Sequence, residues 1–361
     1  MNIVYALSGE GRGHGSLARA ILPLLQRAGH KLKVVTYGQS IAQLAEYDLI
    51  AIKGINHWYD RRGRLSLLKS IFKNRGVLSY YAGNWRKLKR QLREFSPDVV
   101  IVNFEPFTAL IGRSLRLPIL SFDNQHALLH FNRTVPLGYR WAAWITKTAI
   151  RCVAPGAEYY VVMAFAPFET DDRRVHVVPP VVHEEIRQLR PKVGPKVLVY
   201  LKRPNPRFLE VLKQTDQQYL VYGYNLAATD RNLTFRVFSD RMPGELGECN
   251  AVMGTAGMSL ISEAVWLKKP FFGIPLKNEF EQLWNAMLIR RSNFGDFSEE
   301  PSKAEVDRFF RTLNDYRSSL DAYQFDADAA GEKILELVGR KRAPERKGLA
   351  ARDGAGLPDR V

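Results

Sequence analysis

Cysteine is almost absent from this chain: Cys152 and Cys249 are the only two in 361 residues. They lie far apart in sequence and suggest neither a disulfide framework nor a metal cluster, so a reducing, cytoplasmic setting fits them best. Long apolar runs are missing too. No stretch reaches the roughly 20 residues that span a bilayer, and the opening MNIVYALS lacks the basic start of a secretion signal and reads as a buried strand. Acid is scarce: 37 Asp and Glu stand against 53 Lys and Arg, a net charge of +16. Nucleic acid, an anionic membrane face or an anionic substrate would each supply the counter-charge.

The excess is unevenly distributed. Between His57 and Arg93 stand Arg61, Arg62, Arg64, Lys69, Lys73, Arg75, Arg86, Lys87, Lys89, Arg90 and Arg93, with Asp60 the only acid. Trp58, Tyr59, Phe72, Leu78, Tyr80, Tyr81 and Trp85 are interleaved among them. Residues 57–93 therefore form either an amphipathic surface that rests on an anionic bilayer or an ordinary solvated helix face above a core.

A chain of this length exceeds what one core ordinarily supports, and two domains are expected. Short branched-residue runs alternate with helix-length segments: NIVYAL, LKVVTYG, PDVVIVNF and PILSF first, then KVLVYL, QQYLVYG, LTFRVFS, NAVMG and PFFGIP. The alternation predicts an α/β fold of two Rossmann-like, doubly wound parallel-sheet domains facing each other across a cleft. Pro191, Gly194 and Pro195 suit the linker, which gives an amino-terminal domain over 1–190 and a carboxy-terminal one over 191–340. A last helix near Ala327–Val338 is placed to pack back on the first domain. Residues 341–361 are charged, carry Gly and Pro, have no apolar period, and read as a disordered basic tail.

Two segments carry chemistry. Ser8–Ser16 reads SGEGRGHGS, a glycine turn between a strand and a helix whose amino end attracts anions. Its glycines recur at every second position, which is not the dinucleotide spacing. His14, at the mouth of that loop, is either a general base for a hydroxyl or a helix-terminal histidine bonded to backbone. The second segment, Asn250–Ala286, places Gly254, Thr255, Ala256 and Gly257 in a small-residue turn before a helix. Backbone N–H groups and the helix dipole make such a turn a seat for a diphosphate. Gly13, Gly254, Gly257 and Met258 would contribute backbone, Thr255 and Ser259 hydroxyl groups. Glu263, one turn on, could accept from both ribose hydroxyls. Glu281, Gln282 and Asn285 open the next helix, where they could meet a hexose. Lys202 and Arg203, after the first strand of the second half, either neutralise the leaving diphosphate or form a solvated pair.

The second segment resembles the donor-binding signature of nucleotide-sugar glycosyltransferases of the GT-B fold, the branch holding the MurG-type N-acetylglucosaminyltransferase and the UDP-glucuronosyl/glucosyltransferases. Gly254, Gly257, Ser259, Glu263, Ala264, Lys269, Pro270, Ile274, Pro275, Gln282, Asn285 and Ala286 fit its pattern, and GEGRGH stands where the family has its glycine loop and terminal histidine. The resemblance implies an inverting, metal-independent hexosyltransferase that uses a nucleoside diphosphate sugar, most simply a UDP-sugar, and no cofactor. His14 would deprotonate an acceptor hydroxyl. The acceptor would be a lipid or cell-envelope molecule, and the enzyme cytoplasmic, peripheral at the inner membrane face. Part of the family orients the histidine with an Asp that is absent here. Asn103 and Glu105 occupy the corresponding stretch, and Glu105 or Asp123 is expected to take the role, with His126 near the acceptor or packed in a loop. The remaining readings are a nucleotide-sugar 2-epimerase of the same fold and a non-catalytic basic protein binding nucleic acid or lipid. A nucleic-acid partner is not what the combination favours.

Overall fold

The computed structural model describes residues 1–340 except Gly11, Arg12, His57, 59–66, 131–134, 166–167, Asp240 and Phe325. Much of the 57–66 stretch and the 341–361 tail therefore lie outside the described residues.

Seven parallel strands form the first sheet: β1 (Asn2–Leu7), β2 (Lys31–Thr36), β3 (Leu49–Ala51), β4 (Val99–Asn103), β5 (Ile119–Asp123), β6 (Tyr159–Met163) and β7 (Val175–Val178), in the order β3-β2-β1-β4-β5-β6-β7. The second holds β8 (Lys196–Tyr200), β9 (Gln218–Tyr222), β10 (Ala228–Asp230), β11 (Leu233–Phe235), β12 (Val252–Gly254), β13 (Phe271–Gly273) and β14 (Gly295–Phe297), ordered β10-β11-β9-β8-β12-β13-β14. There only the β10–β11 edge pair is antiparallel. Apolar runs such as VVIV in β4 and FF in β13 are buried because helices cover both sheet faces.

Two apolar layers sandwich each sheet. On one face of the first, Ile21, Leu22 and Leu25 of the helix Gly13–Arg27 pack with Ile334, Leu337 and Val338 of the last helix, Ala329–Arg340. The last helix thus crosses from the second half to cover strands of the first. On the other face, Leu88 and Leu92 of Arg75–Phe95 meet Phe107, Ala109 and Ile111 of Pro106–Ser114 and Val153 of Arg140–Val153. Ala143 and Ile150 of Arg140–Val153 also pack against Phe280, Leu283 and Trp284 of Phe280–Arg291, which joins the domains along one side.

Strand order reverses beside β1 and β4 in one sheet and beside β8 and β12 in the other. Ligands of open α/β sheets bind at such switch points. The two reversals face each other across a cleft of about 1740 Å³.

Candidate functional site

Among its described residues, the glycine turn does not rely on left-handed backbone. Gly9, Gly13 and Gly15 all have ordinary φ, and what they supply is closeness. A Cβ on Gly9 would stand 1.5 Å from the Tyr37 carbonyl oxygen, and one on Gly15 would stand 2.0 Å from Gln43 Oε1. On Gly13 the nearest atom is Ser259 Oγ at 3.2 Å. The amino ends of the helices Gly13–Arg27 and Met258–Trp266, one from each domain, therefore abut across the cleft. Gly257 occupies the N-cap of the second helix and gives no side-chain cap, so its first N–H groups face the gap. Two positive helix ends converge where an anion would sit.

His14 projects into this gap. Its Nδ1 lies 2.6 Å from Asn103 Oδ1. Because Asn103 Nδ2 donates to the Phe122 carbonyl, the amide oxygen must be the atom facing His14. Nδ1 therefore carries the proton, and Nε2 is left with its lone pair towards the cleft. Burial lowers the imidazole pKa below its ordinary 6.5; the Asn103 bond and Asp123 act upward, Lys202 downward and Glu10 upward. The ring is thus neutral at neutral pH. Phe104, held at φ +57°, lies nearly parallel to the imidazole at 6.1 Å between centroids.

Neither expected carboxylate touches His14. Glu105 accepts from the N–H groups of Phe107 (2.9 Å) and Thr108 (2.7 Å), so it is the N-cap of Pro106–Ser114. Asp123 faces His126 Nδ1 at 2.8 Å and accepts from Ser121 Oγ at 3.1 Å. Burial acts to raise its carboxyl, but His126 and Ser121 outweigh it and hold Asp123 below the usual range. His126 is buried with it beneath the cleft floor. The influence of Asp123 on His14 is therefore electrostatic, and the group that orients the histidine is Asn103, which had appeared only as the residue standing where an Asp was missing. Glu105→Ala should lower stability by about 1–2 kcal/mol through loss of the cap while the pH dependence of any reaction at His14 stays unchanged. A denaturant titration and a rate profile measured side by side would check it.

In the second domain the small-residue turn is tied down from three sides. Thr255 Oγ1 accepts from the Lys202 N–H at 3.0 Å. Asn285 Nδ2 donates to the Ala256 carbonyl at 3.1 Å, and a Cβ on Gly254 would meet the Tyr200 carbonyl oxygen at 2.4 Å. Buried Lys269 donates to the Cys249 carbonyl at 2.8 Å and to that of Lys192, which links the signature's Lys-Pro step to the interdomain segment. Gln282 is also structural: its Oε1 accepts from Leu276 N–H at 2.9 Å and its amide donates to Glu279. Lys202 and Arg203 are exposed on the cleft wall.

Glu263 is half-buried on the cleft wall. Burial, reinforced by the Glu185 charge, raises its carboxyl to about 7. Glu281 reaches across the gap, accepting from Asn124 Nδ2 at 3.0 Å and Gln125 Nε2 at 3.3 Å. Burial raises its carboxyl; Asn124 acts downward, Glu279 upward, and Gln125 and Lys202 downward. Asn124 and Gln125, unmarked in the sequence, follow β5 directly. Gln125 Oε1 is buried without a partner among the described residues.

Two Rossmann-like halves, one presenting an imidazole and the other an uncapped helix end, have the build of a GT-B glycosyltransferase. The chain belongs to glycosyl transferase family 1, whose model matches residues 1–314. It is similar to an uncharacterized glycosyltransferase of Methanosarcina acetivorans, 25% identical over 94% of this chain and all of the relative. Among solved structures, the glycotransferase of kitacinnamycin superposes with a TM-score of 0.65 at 15% identity, covering 94% of this chain and 98% of that one. The spinosyn rhamnosyltransferase SpnG complexed with thymidine diphosphate gives 0.62 at 12% identity, covering 93% and 100%. The protein is a glycosyltransferase.

Proposed function

We propose that the enzyme is an inverting hexosyltransferase that takes its sugar from a UDP-sugar and delivers it to the hydroxyl of an apolar, lipid-like acceptor in the cytoplasm. The observation that carries the reading is the pairing of His14, locked by Asn103 with Nε2 free, with the open amino end of Met258–Trp266. The diphosphate would rest on Gly254, Thr255, Gly257, Met258 and Ser259, with Gly13 closing from the opposite helix. Glu263 would hold the ribose, and Lys202 and Arg203 would offset the charge that develops on the leaving group. In-line displacement with inversion would have the acceptor oxygen, deprotonated by His14, approach the anomeric carbon opposite the departing diphosphate. Glu281 and Gln125, on the cleft lining, would meet the hexose hydroxyls. Ile55, Tyr81, Phe104, Ile145 and Ala149 line the first-domain part of the cleft and favour an apolar acceptor.

Calorimetric titration with UDP, 2′-deoxy-UDP and thymidine diphosphate tests the donor side. A carboxylate that accepts from both ribose hydroxyls loses one charge-assisted bond with either deoxy nucleotide, worth about 1.5–3 kcal/mol or roughly tenfold to a hundredfold in Kd. Equal affinities would remove Glu263 from the ribose site. A deoxy nucleotide that binds better than UDP would move the donor to a deoxy-sugar nucleotide.

A further inference from the structure

The helix Arg140–Val153 carries a patch that sugar transfer does not use. Leu137, Trp141 and Trp144 are 83%, 67% and 58% exposed, and the two indoles stack with 5.1 Å between ring centroids. One helix face thus presents Trp141, Trp144 and Thr148 outward, while Ile145, Ala149 and Cys152 line the cleft. Arg75–Phe95 and Arg140–Val153 both pack on Pro106–Ser114. Each runs from the carboxyl edge of the sheet back to the start of a parallel strand, so their amino ends share the cleft-side rim. At that end of Arg75–Phe95, Phe72 and Leu78 are 67% and 78% exposed, with Arg75 4.1 Å above the Phe72 ring. The helices Leu67–Lys73, Arg75–Phe95, Pro106–Ser114 and Arg140–Val153 carry two, six, one and three basic residues in turn, and Glu94 is their only acid.

We propose that this face docks on an anionic lipid bilayer, with Trp141 and Trp144 at the headgroup boundary and Arg140, Lys147 and Arg151 among the headgroups. The site is built from described residues within 72–78 and 137–151, whose signal is exposure rather than sequence pattern. It deepens the lipid-acceptor reading and rests on it in one respect: the helix that anchors the protein also walls the cleft, so an acceptor held in the membrane would enter along Ile145 and Ala149. A second copy of the chain is the poorer occupant, since it would set two strongly cationic faces against each other. Nucleic acid would match the charge but would leave Leu78, Leu137 and Phe72 without apolar cover.

The test is sedimentation of the full chain with vesicles of phosphatidylglycerol mixed into phosphatidylcholine and with phosphatidylcholine alone. The parent should partition at least about tenfold better onto the anionic vesicles. Trp141→Ser combined with Trp144→Ser should lose about tenfold or more of that binding. Lipids brominated in the acyl chain should quench the parent's tryptophan fluorescence and spare the double variant. Both positions are exposed, so Tm and UDP affinity should match the parent. If the pair nonetheless disturbs the fold, Arg140→Gln with Lys147→Gln and Arg151→Gln reads the same surface through charge. Equal sedimentation of parent and both variants overturns the proposal. So does indifference to phosphatidylglycerol, self-association that the Trp substitutions abolish, or an oligonucleotide bound where vesicles are not. Vesicle binding without UDP binding would instead sink the transferase site and leave the docking face standing.

Discussion

His14→Ala should lower turnover by about a hundredfold to ten-thousandfold, the range for removal of a general base, while Kd for the donor nucleotide stays within about twofold. The split follows from geometry. The imidazole touches Asn103 and Phe104 of its own domain, whereas the residues proposed to hold the nucleotide come mostly from the other. Asn103→Leu should share much of the loss, because without Oδ1 nothing selects the tautomer that leaves Nε2 free. Asn103→Asp should move the acidic limb of the rate profile upward, since a carboxylate beside the ring favours the imidazolium. Single-turnover rates with saturating donor, set beside calorimetric titration of UDP, give both quantities. A His14→Ala enzyme that turns over at the parental rate would leave the loop with no chemical role.

Glu263→Gln should have the larger effect on binding, and a stability effect of opposite sign. A carboxyl raised to about 7 by burial and by Glu185 is mostly protonated at pH 6 and mostly ionised at pH 8. Ribose hydroxyls need the ionised form, so UDP should bind about tenfold more weakly at pH 6 than at pH 8. That dependence should flatten in the Gln variant, which separates it from ionisation of the nucleotide's own phosphate. For stability the folded pKa lies above the unfolded one. The contribution of Glu263 is therefore fully present below the ordinary carboxylate range and is lost as pH rises through about 7. Ligand-free Glu263→Gln should melt a few degrees higher than the parent at pH 8, with the gap closing toward pH 4.5. A lower melting point at pH 8 would mean that the carboxylate is satisfied by the protein and not held open for a ligand.

The parts of the fold that were legible were those with strong local signals. Buried strands such as β1, β4, β8 and β12 are uninterrupted apolar runs, and the turns after β1 and β12 stand out because small residues cluster there. β10 (ATD) and β14 (GDF) hold no apolar run to mark them, β3 is a three-residue edge strand, and β6 and β7 lie in a stretch that offered no motif to frame them. Candidate site residues could be picked out where type and position stand out alone, as with His14 and Glu263, both of which line the cleft. They could not be where the role depends on a partner brought in by the sheet. Asn103 comes from the strand paired beside β1, 89 residues from the histidine it orients. Glu105 resembled an acid waiting for work until the helix after it accounted for both oxygens. Gln282 and Lys269 fit the pattern of the donor signature, yet each bonds to the protein itself and shapes the seat, Gln282 from the cleft lining and Lys269 from behind it.

The return of Ala329–Arg340 to the first sheet has a consequence for how the molecule could be taken apart. A polypeptide cut at the interdomain segment would leave the amino-terminal piece with β6 and the Gly13–Arg27 helix stripped of Ala330, Ile334, Leu337 and Val338. The carboxy-terminal piece would carry those same side chains with nothing to cover. The two halves are thus sewn together at two places, and either fragment expressed alone would show water an oily seam that only its other half can close.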